Sequence, residues 1–236
     1  MTGTLTHLVL ATIAFVGAHI VLSSWPIRDS IVAQIGARPF LAFYSAAVAL
    51  PFAWMIAAYI HAPYIELWIA PTGVKHVTLS VMLVASILVV ASLSPNNPAV
   101  VGASTPNLTD GPRGIFRITR HPFMWGVALW ALTHLIANGD AASVTLFGGL
   151  ASLAIGGTMH IDSRKRRQLG PDWEIYARQS SHLSFLAIAQ GRTKLVWSEI
   201  GWRATGMGFV LYLVLLIGHE PIIGVAPMSL AAGIFH

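Results

Sequence analysis

Six stretches of this chain are long, continuous and nearly free of charge, and no other feature limits its fold as tightly. They cover residues 4–24, 40–60, 76–94, 122–137, 143–161 and 203–217. A helix of roughly 17–25 apolar residues crosses the hydrocarbon of a bilayer, so each stretch is read as a membrane-crossing α-helix. A barrel is excluded, because barrel strands alternate apolar and polar with period two and these runs do not. Only 10% of the residues are charged and the mean hydropathy is +0.68, whereas a soluble domain carries about a quarter charged residues. The expected architecture is all-α: one membrane domain over residues 1–236, a bundle of about six transmembrane helices with one amphipathic segment. The first run has no basic leader and no small-x-small site before Trp25-Pro26, so it reads as a retained helix and not a signal peptide.

Charge sets the orientation. Thirteen of the fourteen Lys and Arg residues fall on one side of a six-span bundle. Arg28 and Arg38 follow the first run; Arg113, Arg117 and Arg120 precede the fourth; eight more lie between residue 162 and Arg203. Only Lys75 falls opposite. Basic residues collect in cytoplasmic loops, so the expectation is a multi-pass protein of a bacterial inner membrane with both termini outside the cytoplasm. This bias accounts for the net charge of +5 without nucleic acid. The polar stretch 162–202 opens "DSRKRRQLGPDWEIYARQ", and the helical spacing of Trp173, Tyr176 and Ala177 predicts an amphipathic helix at the interface, its basic run against lipid headgroups. The bilayer is the partner this implies; no pattern sets an oligomeric state.

Histidine breaks the apolar pattern. His19, His134 and His160 lie inside three of the runs, and His7 lies near the start of the first. An imidazole in hydrocarbon needs a partner, either a polar group on a neighbouring helix or a metal. The chain has no cysteine, which excludes disulfides, zinc thiolates, iron–sulfur clusters and cysteine nucleophiles. Neutral imidazoles facing one another across a bundle suit a b-type haem. Rows at i+4 spacing support such a pocket: His7, Ala11, Phe15 and His19; Pro122, Gly126, Trp130 and His134; Gly148, Ser152, Gly156 and His160. Phe15, Trp130 and the small residues of the third row would wall the ring. The same rows also suit plain helix packing. Pro122 fits the first position of a helix. Arg117, Arg120 and His121 precede it at that helix's positive end, where a haem propionate, another cofactor's acidic tail or a lipid head would be held.

"GIFRITRHPFMWGVALWALTHLIANGD" and "GGTMHIDSRKRRQLGPDWEIYARQSSHLSF", with "FVGAHIVLSSWPIRD" and "GARPFLAFYSAAVALP" upstream, resemble the NnrU family over roughly residues 10–195. The resemblance implies a haem b with two histidine axial ligands, which fall on His19 and His134; His121, His160 and His7 are the reserves. It implies either a role in nitrogen-oxide (denitrification) or related redox metabolism, or the haem-dependent cis–trans isomerisation of a carotenoid, as in the zeta-carotene isomerase branch. The substrate would then be lipophilic. Ala131 stands where plant members of that branch carry cysteine. The R-H-P-x-x-x-G stretch is also similar to membrane methyltransferases, which implies S-adenosylmethionine held by Arg120, His121 and the basic loop. A transporter or structural protein whose histidines only pack is the remaining class. Depth argues against the favoured pair. Counted from the basic ends, His19 lies about 5 residues in and His134 about 13, a difference on the order of 12 Å. By depth alone His19 would pair with His121 or His160, and His7 with His134.

Overall fold

The computed structural model describes residues 3–94, 97 and 108–227. Its helices in chain order are α1 (Leu5–Ser23), α2 (Trp25–Ile35), α3 (Ala37–Ile60), α4 (Thr72–Ala91), α5 (Pro122–Asn138), α6 (Ala141–Leu169), α7 (Pro171–Gln179), α8 (Leu186–Ala189), α9 (Trp197–Ile200) and α10 (Trp202–Ile223). Two single 3-10 turns, Leu108–Asp110 and Gly114–Arg117, precede α5. There is no named strand among the described residues.

The six apolar runs are the helices α1, α3, α4, α5, α6 and α10. Five of these are long and apolar enough to cross a membrane: α1, α3, α4, α6 and α10. The sixth, α5, has 17 residues, about 25 Å at 1.5 Å per residue, the lower limit of a crossing helix. It runs antiparallel to α6 and level with that helix's apolar part, Leu135 lying beside Gly148 and Met124 beside Gly157.

Helices in lipid gain nothing from burying apolar surface against one another, so their contacts depend on small residues that let backbones approach. Three such contacts assemble this bundle. A Cβ on Gly149 of α6 would meet Thr12 of α1 at 2.3 Å, one on Gly126 of α5 would meet Val89 of α4 at 2.7 Å, and one on Gly208 of α10 would meet the Ile87 Cα of α4 at 2.6 Å. Leu8, Ala11, Phe15, Met55, Ala131, Leu146 and Phe147 close the interior. Outward, Leu50 is 72% exposed and Ile217 74%, a coat suited to lipid and costly in water.

α5 and α6 are joined by one tight turn. Gly139 has φ +70°, and a Cβ there would meet the Trp68 carbonyl oxygen at 2.0 Å. Asp140 caps α6 by accepting the N–H groups of Ala142 and Ser143 at 3.0 and 2.9 Å, the usual work of an N-cap aspartate.

The structure departs from the sequence reading in three respects, besides α10, which continues past residue 217 to Ile223. α6 does not stop near residue 161; it continues to Leu169, 29 residues in all, so the basic run forms its last turns and does not open a loop. Nothing in "IDSRKRRQL" breaks a helix before Gly170-Pro171. The stretch after the first run, expected as a connection, holds α2, which buries none of its residues. The amphipathic helix is present as α7, but Trp173 and Tyr176 are buried with Leu108 and against Leu169, so its apolar face lies on protein and not in the interface. Residues 95, 96 and 98–107, in the connection that follows α4, and the apolar stretch past residue 227 lie outside the described residues.

Candidate functional site

The basic segments gather at one end of the bundle, and its central group is Asp162. The Arg120 Nε donates to both Asp162 oxygens at 2.9 Å, and its Nη2 donates to Oδ2. The His121 Nε2 donates to Oδ1 at 2.8 Å. The Arg120 and Asp162 side chains are 12% exposed and that of His121 is 0% exposed. Backbone and side-chain bonds strap residues 181–185 across the start of α5. The Arg120 N–H donates to the Ser181 carbonyl at 3.0 Å, the Phe185 N–H to that of Ile118 at 2.8 Å, and the Trp125 Nε1 to that of His182 at 2.8 Å. This brings the His182 ring 5.8 Å from that of His121. Burial pushes the His182 imidazole below its ordinary pKa; the charges of His121 and Arg120 push it further, and Asp162 opposes them.

His121, Asp162 and His182 bring three possible ligand atoms within 4.8 Å of one another, a set that could hold a metal ion. Arg120 already neutralises the carboxylate, and its guanidinium would oppose a second cation there. The cluster is better described as a buried clamp between the start of α5 and the last turns of α6. The His121 Nδ1 is buried with no partner among the described residues.

Arg117 stands apart. It belongs to the 3-10 turn before α5, and its Nε and Nη2 reach the two Glu199 oxygens of α9 at 2.7 and 2.9 Å. These bonds, with the Gly114 N–H at 2.8 Å, hold the Glu199 carboxyl down at about 2. So Arg117, Arg120 and His121 do not start one helix or share one anion. α5 begins at Pro122, and the acids facing these side chains are Glu199 and Asp162 of the chain itself.

Deeper in the bundle, His19 Nδ1 lies 3.1 Å from the Phe15 carbonyl, and His134 Nδ1 lies 2.8 Å from that of Trp130. A carbonyl only accepts, so Nδ1 carries the proton and Nε2 keeps its lone pair. Neither Nε2 has a hydrogen bond among the described residues. The reserves differ. His160 donates from Nε2 to the Ser23 carbonyl at 2.8 Å, joining α6 to α1, and His121 is bonded to Asp162. His7 lies edge-on to Trp54 at 6.4 Å, its buried Nδ1 without a partner among the described residues. Phe15 is 4.6 Å from the His19 ring, while Trp130 and Phe147 are 5.7 and 5.2 Å from that of His134.

The depth offset persists in the backbone. His19 lies between the α1 residues that meet Gly149 and His160, near residue 155 of α6, whereas His134 lies beside Phe147. Eight residues of helix are about 12 Å. Helical side chains lean toward their own N-terminus, however, and α1 and α5 run in opposite directions, so the two rings lean toward one another and the gap narrows. A residue absent from the sequence reading also stands here. The His219 ring of α10 is 6.3 Å from that of His134, at 28° to it, and its Nδ1 is bonded to the Val225 carbonyl at 2.7 Å.

Membrane-crossing α-helices, an ion-pair clamp at one end and imidazoles with a free Nε2 in the apolar interior define a multi-pass, histidine-bearing membrane protein. A family model described as NnrU protein matches residues 7–227, and the chain belongs to the NnrU family. It is 31% identical over 193 residues to the chloroplastic 15-cis-zeta-carotene isomerase of Zea mays, a match covering 80% of this chain and 52% of that protein. Against the Arabidopsis thaliana protein of the same name it is 32% identical over 96 residues, 41% of this chain and 26% of the relative. The chain thus spans about half the length of the maize relative and a quarter of the other over the matched parts. No solved structure matches it.

Proposed function

We propose that this chain binds a haem b through His19 and His134 and isomerises a cis double bond of a lipophilic polyene. One observation carries the haem reading. Both imidazoles sit in apolar helices with Nδ1–H bonded four residues back, which leaves Nε2 in the state an iron ligand requires. Gly156 adds open space: apart from its own turn of helix, no described atom lies within 4 Å of where its Cβ would stand. A haem held there would supply a redox-active iron. The chain's part is to hold each ring by its Nδ1–H bond and to exclude water with Phe15, Trp130 and Phe147. The polyene substrate is supported by the names of the two relatives and by an apolar exterior open to lipid-dissolved molecules. The methyltransferase reading loses support, because the Arg120 Nε and Nη2 and the His121 Nε2, polar atoms that would hold a cofactor, face Asp162.

The test is an absorption spectrum of the purified protein. A Soret band of six-coordinate, low-spin type is expected. His19→Ala and His134→Ala should each lose the haem or turn it five-coordinate and high-spin, while His219→Ala should keep the low-spin spectrum. The converse result for His19 and His219 would move the opposite ligand to His219. A missing Soret band would end the haem reading. Membranes given 15-cis-zeta-carotene should then change its isomer composition, read by chromatography, and those with His134→Ala should not. A Soret band that responds to nitric oxide, with the carotenoid unchanged, would assign the chain to nitrogen-oxide metabolism.

A further inference from the structure

The other acids at the basic end that face the clustered arginines are matched. Asp162 meets Arg120, Glu199 meets Arg117 and Glu174 meets Arg166. Beside them, among the described residues, Arg164 and Arg167 have no acidic partner and Arg28 has only its exposed neighbour Asp29. Arg28 from the first turn of α2 and Arg164 and Arg167 from the end of α6 line one cavity of about 110 Å³, with Gln168 and Asp29 at its edge. That is several times the space one water needs. Asp29 is paired with the adjacent Arg28 at 3.1 Å and is itself 54% exposed, so two of the three positive charges remain uncompensated. Among the described residues Arg167 bonds only the Ser163 hydroxyl, at 2.8 Å, and lies over the Trp25 ring at 5.6 Å. Arg164 has no hydrogen bond or ion pair among the described residues, and Arg28 repels it across the cavity. Converging guanidiniums raise the energy of a fold unless an anion lies between them. Their planar forks match an oxyanion with several oxygens, phosphate above all. Trp25 is 56% exposed, as an aromatic side chain at the membrane–water boundary is, which puts the cavity at headgroup depth.

We propose that Arg28, Arg164 and Arg167 form a specific site for a phosphate group, occupied by the headgroup of an anionic phospholipid. Ser23, which is bonded to His160, also lines the cavity, but neither His19 nor His134 does, and the site does not depend on haem.

The full chain is purified in detergent, and its thermal midpoint is followed while phosphatidylglycerol, phosphatidylcholine or inorganic phosphate is added. Phosphatidylglycerol should raise the midpoint of the wild type and phosphatidylcholine should not. In Arg164→Gln and in Arg28→Gln the half-maximal lipid concentration should rise on the order of tenfold, the loss of one charge-assisted contact. Arg164→Lys, which keeps the charge and loses the fork, should fall between. Arg166→Gln, outside the cavity, should bind as the wild type does; circular dichroism and gel filtration establish that each variant is folded. An equal effect of inorganic phosphate, lost in the same variants, would support the phosphate site while overturning the lipid as its occupant. If Arg164→Gln and Arg166→Gln weaken lipid binding equally, only diffuse surface charge attracts the lipid and the site does not exist.

Discussion

At the scale of single residues the most consequential side chain is Asp162, which compensates Arg120 in a nearly dry environment. Removing one partner of a buried pair costs about 3–5 kcal/mol, because the other charge is left unmatched. Asp162→Asn should therefore lower the thermal midpoint in detergent by several degrees, and adding Arg120→Gln should recover part of the loss. An unchanged midpoint in the single variant would show that the clamp contributes nothing. Glu199 gives a pH signature. Its carboxyl is held at about 2 in the folded chain, from an ordinary 4.5, so as pH falls the unfolded chain takes up the proton first. The contribution is complete above about pH 4.5 and fades toward pH 2. Wild type should lose more stability than Arg117→Gln between pH 5 and pH 3, measured by chemical or thermal unfolding; parallel curves would refute this. Arg120 and His121 could be picked out from sequence because they abut a helix start. Asp162 is some forty positions away, and no local pattern joins them. His219 was missed for another reason: it lies just past residue 217, where the sequence reading ended the sixth apolar run.

At the scale of elements, hydropathy found all six long helices but mistook the end of α6, because hydropathy reports the solvent around a helix and not the backbone. Past Ile161 the residues become polar while remaining good helix formers, so the helix leaves the apolar layer without ending. Packing explains which glycines matter. Gly208 has the Ile87 backbone against it, whereas Gly206, two residues earlier, has no described atom from outside its own turn of helix within 4 Å of where a Cβ would stand. Gly208→Val should push α10 off α4 and cost roughly 1–3 kcal/mol, the usual penalty for overpacking. Gly206→Val should be close to neutral. Equal midpoints for the two variants would place the α4–α10 contact elsewhere. The i+4 rows were legible, but their faces were not. In the α5 row Gly126 meets α4 while His134 meets Phe147 of α6, since each i+4 step drifts around the axis.

At the scale of the molecule the expected side-to-side asymmetry of charge has a structural counterpart, since the segments bearing it lie together. Whether α5 crosses decides the count of spans. Reporter fusions placed at Thr109 and at Gly139 should report opposite sides of the membrane; the same side for both would leave five crossings. The turn at Gly139 then bears on biosynthesis. A helix of 17 residues preceded by Arg120 enters lipid poorly by itself, and basic residues of this kind are expected to stay on the side where synthesis occurs. The Asn138-Gly139-Asp140 reversal is short enough for α5 and α6 to leave the translocon as a single hairpin, the longer helix drawing the shorter one across. A nascent chain cut after Asn138 should leave α5 accessible to proteases, and extending it through Leu169 should bury it, so that the second member of the pair determines the fate of the first.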